Sequence, residues 1–270
     1  MRGYASSVET GLHFGLGKNT KVDSALIEWP GGTAQWLRDL AANQGIVVEF
    51  REAKPYQKLP EQREPFFTET AISGLDFQHR EGDFVDFKQT ATLHKMLSRS
   101  GFPIVVGDAN GDGMDDFFVG GAYRGSTSRI YLQEKKGNFR AVAFPDSNEK
   151  ETTNAVFLDA DKDGDNDLLV VYGSSERPLS ADNAYQPQLF FNDGEGEFTK
   201  SAPSALPKFA VSASSVVAFD YDQDGDGDVF VAGRQVPGRY PLLARSYLLR
   251  NDSQGNAVRF NVPGAPARRY

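Results

Sequence analysis

The chain has 270 residues, of which 39% are hydrophobic and 12% aromatic, with 27 Gly and 14 Pro, so it can bury a sizeable core and is rich in turn formers. Its formal net charge of −8 argues against nucleic-acid binding, which needs a basic face. No apolar run approaches the about 20 residues of a membrane-spanning helix, and the lack of cysteine excludes disulfides and thiolate metal sites.

Residues 1–50 differ in composition from the rest of the chain and contain no strongly acidic loop. Residues 51–65 are rich in charge and Pro, which is typical of a linker. The sequence therefore predicts a small domain at residues 1–50, a linker at 51–65 and a second domain at 66–270.

An acidic pattern of nine residues occurs three times in the second domain, at residues 108–116, 159–167 and 220–228. Each copy has Asp or Asn at its first, third, fifth and ninth positions and Gly at its sixth. This spacing can wrap a loop around a hard cation, because Ca²⁺ takes roughly 6–8 oxygen ligands and Gly supplies the bend that aims them inward. The predicted side-chain ligands are Asp108, Asn110, Asp112, Asp116, Asp159, Asp161, Asp163, Asp167, Asp220, Asp222, Asp224 and Asp228.

A single loop of this kind is equally well explained as a solvated turn, since Asp, Asn and Gly are the commonest turn residues. Three copies in one register favour metal binding. The loops hold 14 acidic residues and one base, Lys162, so they carry a charge of −13, while the remaining residues sum to +5. Carboxylates crowded in this way repel one another unless a cation neutralises them. We therefore predict up to three calcium ions.

The residues around each loop predict strands. An EF-hand loop begins similarly, but it needs a Glu at position twelve and flanking helices. Position twelve here is Val119, Val170 or Val231. Short apolar, β-branched and aromatic runs lead into and out of each loop, and such runs are typical of buried strands. Each loop should therefore join two strands.

The loops also define a repeat, because successive first ligands are 51 and 61 residues apart, close to the length of a propeller blade. The second repeat shows four strand signals, near residues 155–158, 167–171 and 188–191 and from residue 197. Four antiparallel strands per repeat predict a propeller blade with apolar inner strands. The expected fold is all-β: a partial β-propeller of about three four-stranded blades, preceded by a small β-rich domain.

Acidic loops between apolar strands, followed by Gly-rich strand ends such as residues 119–122, resemble FG-GAP or VCBS repeats, the blades of integrin-α-type propellers. The resemblance implies that Ca²⁺ binds in the loop between the first two strands of a blade. It also implies that the seventh residue ligates through its main-chain carbonyl, which assigns Met114, Asp165 and Asp226.

Motifs in residues 3–50, such as His13-Phe14-Gly15-Leu16-Gly17 and Ile27-Glu28-Trp29-Pro30-Gly31-Gly32, resemble the ASPIC/UnbV domain. That domain accompanies FG-GAP repeats in bacterial secreted proteins and in cartilage acidic protein. The resemblance therefore implies an extracytoplasmic protein, secreted or attached to the outer surface. The family's domain normally begins upstream of Gly3, so we expect its opening strands to be missing here.

The number of blades indicates an internal fragment. Residues 66–270 provide 205 positions and three marked blades, whereas a closed ring of about seven blades needs far more residues. The expected partners therefore include the remaining blades of the parent chain. Without them, the last blade should expose an apolar flank and associate.

Two classes of function remain open. The favoured one is a non-enzymatic, calcium-stabilised recognition or adhesion module, because His13, His79 and His94 lie in no HExxH or triad-like motif. The alternative is a scaffold or part of a calcium-dependent polysaccharide-processing enzyme, since calcium-bearing propellers also occur in glycan lyases.

The long loops after the second strands, at residues 173–187 and 233–246, should lie on the face opposite the calcium loops. Long loops on a rigid scaffold are common recognition sites; the alternative is that they simply pack over neighbouring blades. Tyr185, Arg239 and Tyr240 are the candidate residues for a glycan or protein ligand.

Overall fold

The computed structural model describes residues 11–57, 66–135, 137–146, 149–180, 183–254 and 257–263. The chain divides into two compact units, Met1–Glu69 and Thr70–Tyr270. Residues 1–10 of the small domain and residues 58–65 of the predicted linker lie outside the described residues.

The first unit contains a three-stranded antiparallel sheet of β1 (Lys21–Trp29), β2 (Thr33–Ala41) and β3 (Lys54–Pro55), in that order. A 3-10 turn, Phe50–Glu52, precedes β3. The Trp29 ring meets Phe50 edge-on at 5.6 Å, and its Nε1 donates a hydrogen bond to Gln35 Oε1 at 3.0 Å. These contacts fasten the turn region to the sheet.

The second unit begins with a short helix, α1 (Asp86–Gln89), followed by three four-stranded antiparallel meanders. Blade one contains β4 (Ile104–Gly107), β5 (Asp116–Val119), β6 (Arg129–Lys135) and β7 (Asn138–Ala143). Blade two contains β8 (Thr152–Leu158), β9 (Asp167–Tyr172), β10 (Gln188–Asn192) and β11 (Phe198–Lys200). Blade three contains β12 (Ser212–Phe219), β13 (Asp228–Gln235), β14 (Tyr247–Asn251) and β15 (Phe260–Asn261). The all-β prediction with four strands per repeat is confirmed.

Side-chain alternation along the inner strands builds two cores, one on each side of blade two. Because successive side chains of a strand point to opposite faces, Leu168 and Val170 of β9 pack toward blade one, and Leu169 and Val171 pack toward blade three. All six residues of β9 are consequently buried. A strand covered on both faces reads as a continuous apolar run, which is the pattern that the sequence shows.

One face of blade three lacks such a cover among the described residues. Val216, Val229 and Val231 belong to the core shared with blade two, whereas Val217, Phe219 and Phe230 are 50%, 42% and 38% exposed. We call these last three residues the open flank. It is the apolar flank that the sequence predicted for the last blade.

Candidate metal centre

The three acidic loops connect the first and second strands of their blades, as predicted. We call residues 108–116 loop one, 159–167 loop two and 220–228 loop three. The sixth-position glycines Gly113, Gly164 and Gly225 adopt φ angles of 80°, 98° and 91°. Only glycine enters this region without strain, so the sequence requirement at position six follows from the backbone path.

Each loop draws its first carboxylate inward by the same hydrogen bond. The sixth-position amide donates to the first-position Oδ2 at 2.9 Å in loop one, 3.2 Å in loop two and 3.1 Å in loop three. The seventh-position amide likewise donates to the fifth-position Oδ1, at 2.8, 3.0 and 3.2 Å. The first and fifth carboxylates are therefore already arranged by the main chain.

The carboxylates converge in loops two and three. One oxygen each from Asp159, Asp161 and Asp163 lies within 4.8 Å of the others, and Asp220, Asp222 and Asp224 form an equivalent group. Burial raises the pKa of Asp161, and the charge of Asp163 raises it further. In loop one the third position is Asn110, whose Nδ2 lies 3.2 Å from Asp112 Oδ2.

The ninth-position carboxylates have a structural role that the sequence analysis did not anticipate. Asp116, Asp167 and Asp228 are almost completely buried. Each accepts one hydrogen bond from the amide of the second loop residue and one from the third strand of the same blade, over 2.7–3.0 Å. Burial raises the pKa of Asp167 to about 7. Because a carboxylate has about four lone-pair positions, these contacts leave room for a metal ion as well.

The seventh position of loop three contains an unsatisfied oxygen. The Asp226 side chain is only 3% exposed, and its Oδ2 lies 3.0 Å from Lys162 Nζ. Its Oδ1 is buried without a hydrogen-bond partner among the described residues. A buried carboxylate oxygen without a partner is costly, and a hard cation would satisfy it. The all-oxygen donor set thus fits Ca²⁺.

The predicted ligand surface is only partly exposed. Tyr185 is 3% exposed, and its hydroxyl donates to the carbonyls of Ser174 and Arg177 at 3.1 and 2.7 Å. Its ring therefore packs inside blade two and does not face a partner. Arg239 and Tyr240 lie on the surface, as expected. β13 continues to Gln235, so the second of the two long loops begins later than predicted.

His79 contacts one polar residue near it in the sequence, Glu81, and one distant from it, Ser126. Its Nε2 lies 2.8 Å from Glu81 Oε1, and its Nδ1 lies 3.4 Å from Ser126 Oγ. The Ser126 hydroxyl also accepts from the amide of Arg80 at 3.4 Å, and Phe102 packs against the imidazole at 4.5 Å. The polar contacts and the packed ring indicate that His79 holds the segment before blade one in place.

A buried glutamate, Glu151, and a half-buried one, Glu176, lie near the strand ends opposite the acidic loops, and sequence reasoning missed them. Glu151, just before β8, accepts a hydrogen bond from the amide of Tyr123 at 2.7 Å. Burial raises its pKa to about 8, with contributions from Glu81 and Glu176. Burial also raises the pKa of Glu176 to about 7. No local motif marks these residues, because their shared environment is created by folding.

Four-stranded meanders with an acidic loop between the first two strands, packed through apolar cores, define a β-propeller-type repeat module. Residues 108–170 and 179–231 match the family of FG-GAP-like repeats, and residues 1–55 match the ASPIC and UnbV domain. These matches confirm both resemblances: the second unit contains FG-GAP-like repeats, and residues 1–55 form an ASPIC and UnbV domain. Comparison with curated proteins finds no match. Among the described residues, no helix is long and apolar enough to cross a membrane.

Proposed function

We propose that the second unit is a calcium-stabilised, non-enzymatic recognition or adhesion module of a secreted or cell-surface protein. The observation that carries the calcium assignment is the convergence of three carboxylates in loop two and again in loop three. In each loop the side chains at positions one, three, five and nine would hold the ion, together with the seventh main-chain carbonyl.

A bound Ca²⁺ would supply positive charge to a group of mutually repelling carboxylates. The chain itself provides the rest of the arrangement, because main-chain amides already orient the first and fifth carboxylates in all three loops. The loops connect the two inner strands of each blade, so an ion that rigidifies a loop would also restrict the movement of these strands. The ions would therefore stabilise the scaffold that presents the recognition surface.

Differential scanning calorimetry of the chelator-treated chain during Ca²⁺ addition tests the calcium assignment. A ligand that binds only the folded state stabilises it by about 2.7 kcal/mol at one hundred times its Kd, so Tm should rise markedly and in a concentration-dependent way. A melting curve that Ca²⁺ leaves unchanged would contradict the proposal.

Loop one offers a matched pair of variants. Asp112 at position five and Asp115 at position eight are both exposed acids of the same loop, but only Asp112 is a predicted ligand. Asp112→Ala should weaken Ca²⁺ binding, whereas Asp115→Ala removes the same charge and should keep most of the affinity. Equal losses in the two variants would indicate a general charge effect.

We place the candidate ligand-binding surface at Arg239 and Tyr240, which are exposed in the turn region after β13. An arginine beside an exposed aromatic ring suits a glycan or a protein partner, since both residue types are frequent at recognition hot spots. A glycan array and a panel of extracellular proteins would identify the ligand. Substituting both residues by alanine should then abolish binding, and Lys208→Ala, at another exposed cation, should not.

A further inference from the structure

Two asparagine side chains connect the acidic loops to the blades that follow them. Asn192, at the end of β10 in blade two, donates from Nδ2 to the carbonyl of Ala109 in loop one at 2.8 Å. Asn251, at the end of β14 in blade three, donates from Nδ2 to the carbonyl of Ala160 in loop two at 3.2 Å. The two blade boundaries thus have the same contact at equivalent positions.

These contacts belong to a hydrogen-bonded path that crosses both boundaries. The main-chain N–H of Asn251 donates to the Asp228 carboxylate. The main-chain N–H of Ala160, whose carbonyl accepts from the Asn251 side chain, donates to the Asp167 carboxylate. The Asp167 carboxylate also accepts a hydrogen bond from the main-chain N–H of Asn192. The complete path runs through Asp228, Asn251, Ala160, Asp167, Asn192, Ala109 and Asp116.

The members of this path are removed from water. Ala109 and Ala160 are buried, and so are Asn192 and Asn251. A buried main-chain carbonyl needs a partner, and here the following blade supplies it. Each alanine lies between the first and third ligand positions of its loop, so a shift of the alanine peptide would move both ligands.

Further polar contacts join adjacent loops. Asn166, at position eight of loop two, donates from Nδ2 to the carbonyl of Asp108, the first ligand residue of loop one, at 2.8 Å. Lys162 of loop two pairs with Asp226 of loop three. Each loop is therefore in polar contact with the adjacent loop or blade.

We propose that Asn192 and Asn251 are positioning residues that couple each metal loop to the blade that follows it. This inference rests on the calcium-binding function proposed above. Asn192 should position loop one, and Asn251 should position loop two, although neither residue is a ligand. Loss of either amide would weaken the metal site of the preceding blade more than the site of its own blade.

The test is a Ca²⁺ titration of the complete chain followed by ¹H–¹⁵N NMR. The sixth-position glycine amides of Gly113, Gly164 and Gly225 report on loops one, two and three separately. Asn192→Ala should raise the half-saturation concentration of loop one by about fivefold, the size expected for one buried hydrogen bond. Asn251→Ala should raise that of loop two similarly.

The two variants are controls for each other, because each should change the preceding loop more than its own. A variant that only damages its blade would affect the loop of that blade at least as strongly, and this result would overturn the inference. Unchanged affinities in all three loops would overturn it as well.

A further variant keeps the test decisive if an alanine variant fails to fold. Asp163→Ala removes an exposed ligand of loop two without altering the hydrogen-bonded path. Because coupling is reciprocal, this change should also raise the half-saturation concentration of loop one, and an unchanged Gly113 response would contradict the coupling. If the glycine signals of the unsubstituted chain do not respond to Ca²⁺, the proposed function itself fails, which is a distinguishable outcome.

Discussion

Lys162 of loop two lies 3.0 Å from the Asp226 carboxylate of loop three, with the ammonium about half exposed and the carboxylate buried. It is the one basic residue among the 14 acids of the three loops. The pairing raises the pKa of the Lys162 ammonium, chiefly through its hydrogen bond to Asp226. A single cation thus offsets part of the carboxylate repulsion between two neighbouring loops.

Lys162→Gln should lower Tm in calcium-free buffer, because it leaves the buried Asp226 carboxylate without its partner. Saturating Ca²⁺ should reduce the difference from the unsubstituted chain, since the ion replaces the missing charge. Scanning calorimetry with and without Ca²⁺ measures both effects. Lys208→Gln, at an exposed lysine outside the loops, is the control. A loss of Tm in Lys162→Gln that Ca²⁺ does not reduce would argue against the role of Lys162 in offsetting carboxylate repulsion.

The ninth position and the fifth position of loop three should respond differently to substitution. Asp228→Asn removes one of two buried acceptors for main-chain amides, so it should cost roughly 1.5–3 kcal/mol of unfolding free energy even without Ca²⁺. Asp224→Ala changes an exposed side chain and should matter mainly when Ca²⁺ is present. Urea denaturation in chelator and in Ca²⁺ distinguishes the two; equal behaviour of the variants would refute separate roles.

Glu151 predicts a pH dependence of stability. Burial holds its folded-state pKa at about 8, above the usual value of 4.5. Between these values the unfolded chain releases a proton that the folded chain keeps, so this group makes stability fall as pH rises. Glu151→Gln retains an acceptor for the Tyr123 amide and removes the titration.

Relative to the unsubstituted chain, Glu151→Gln should therefore gain roughly 1–3 kcal/mol of stability between pH 5 and pH 8. Urea midpoints measured across this range, with Ca²⁺ held saturating, give the difference. Glu149→Gln, at an exposed glutamate two positions earlier, should follow the unsubstituted curve. Parallel curves for Glu151→Gln and the unsubstituted chain would rule out the proposed titration.

The open flank predicts self-association of this chain. Its three side chains form an apolar sheet face on blade three, opposite the face that packs on blade two, and exposed patches of this kind drive association. Light scattering should show oligomers that Val217→Lys diminishes. Leu242→Lys, at a comparably exposed apolar residue outside the flank, should not change them. A stable monomer at all concentrations would contradict the prediction.

Local pattern was sufficient to predict the strands and the acidic loops. The apolar runs around each loop predicted the inner strands, because a strand buried on both faces is apolar along most of its length, as in residues 168–172 of β9. The glycine at position six indicated the bend, because any other residue would be strained at the φ angle found there. These signals lie within a few residues of one another and can be read without knowing the fold.

Contacts between distant residues could not be read in the same way. Tyr185 was expected on a binding surface, yet its hydroxyl is enclosed by two carbonyls of its own loop. Glu151 and Glu176 are separated by 24 residues, and burial in the folded chain is the main reason that their pKa values are raised. Polar residues of the same type occur in every loop, so composition does not show which become buried.

The sequence by itself determined that this is an all-β repeat protein with three acidic loops of regular spacing, because strand alternation and loop spacing are properties of consecutive residues. Tertiary structure alone decided that Asn192 and Asn251 reach back to the preceding blade. It also decided that the ninth-position carboxylates hold main-chain amides. The physical reason is that a buried hydrogen bond depends on where two distant segments meet, and packing of the blades sets that position.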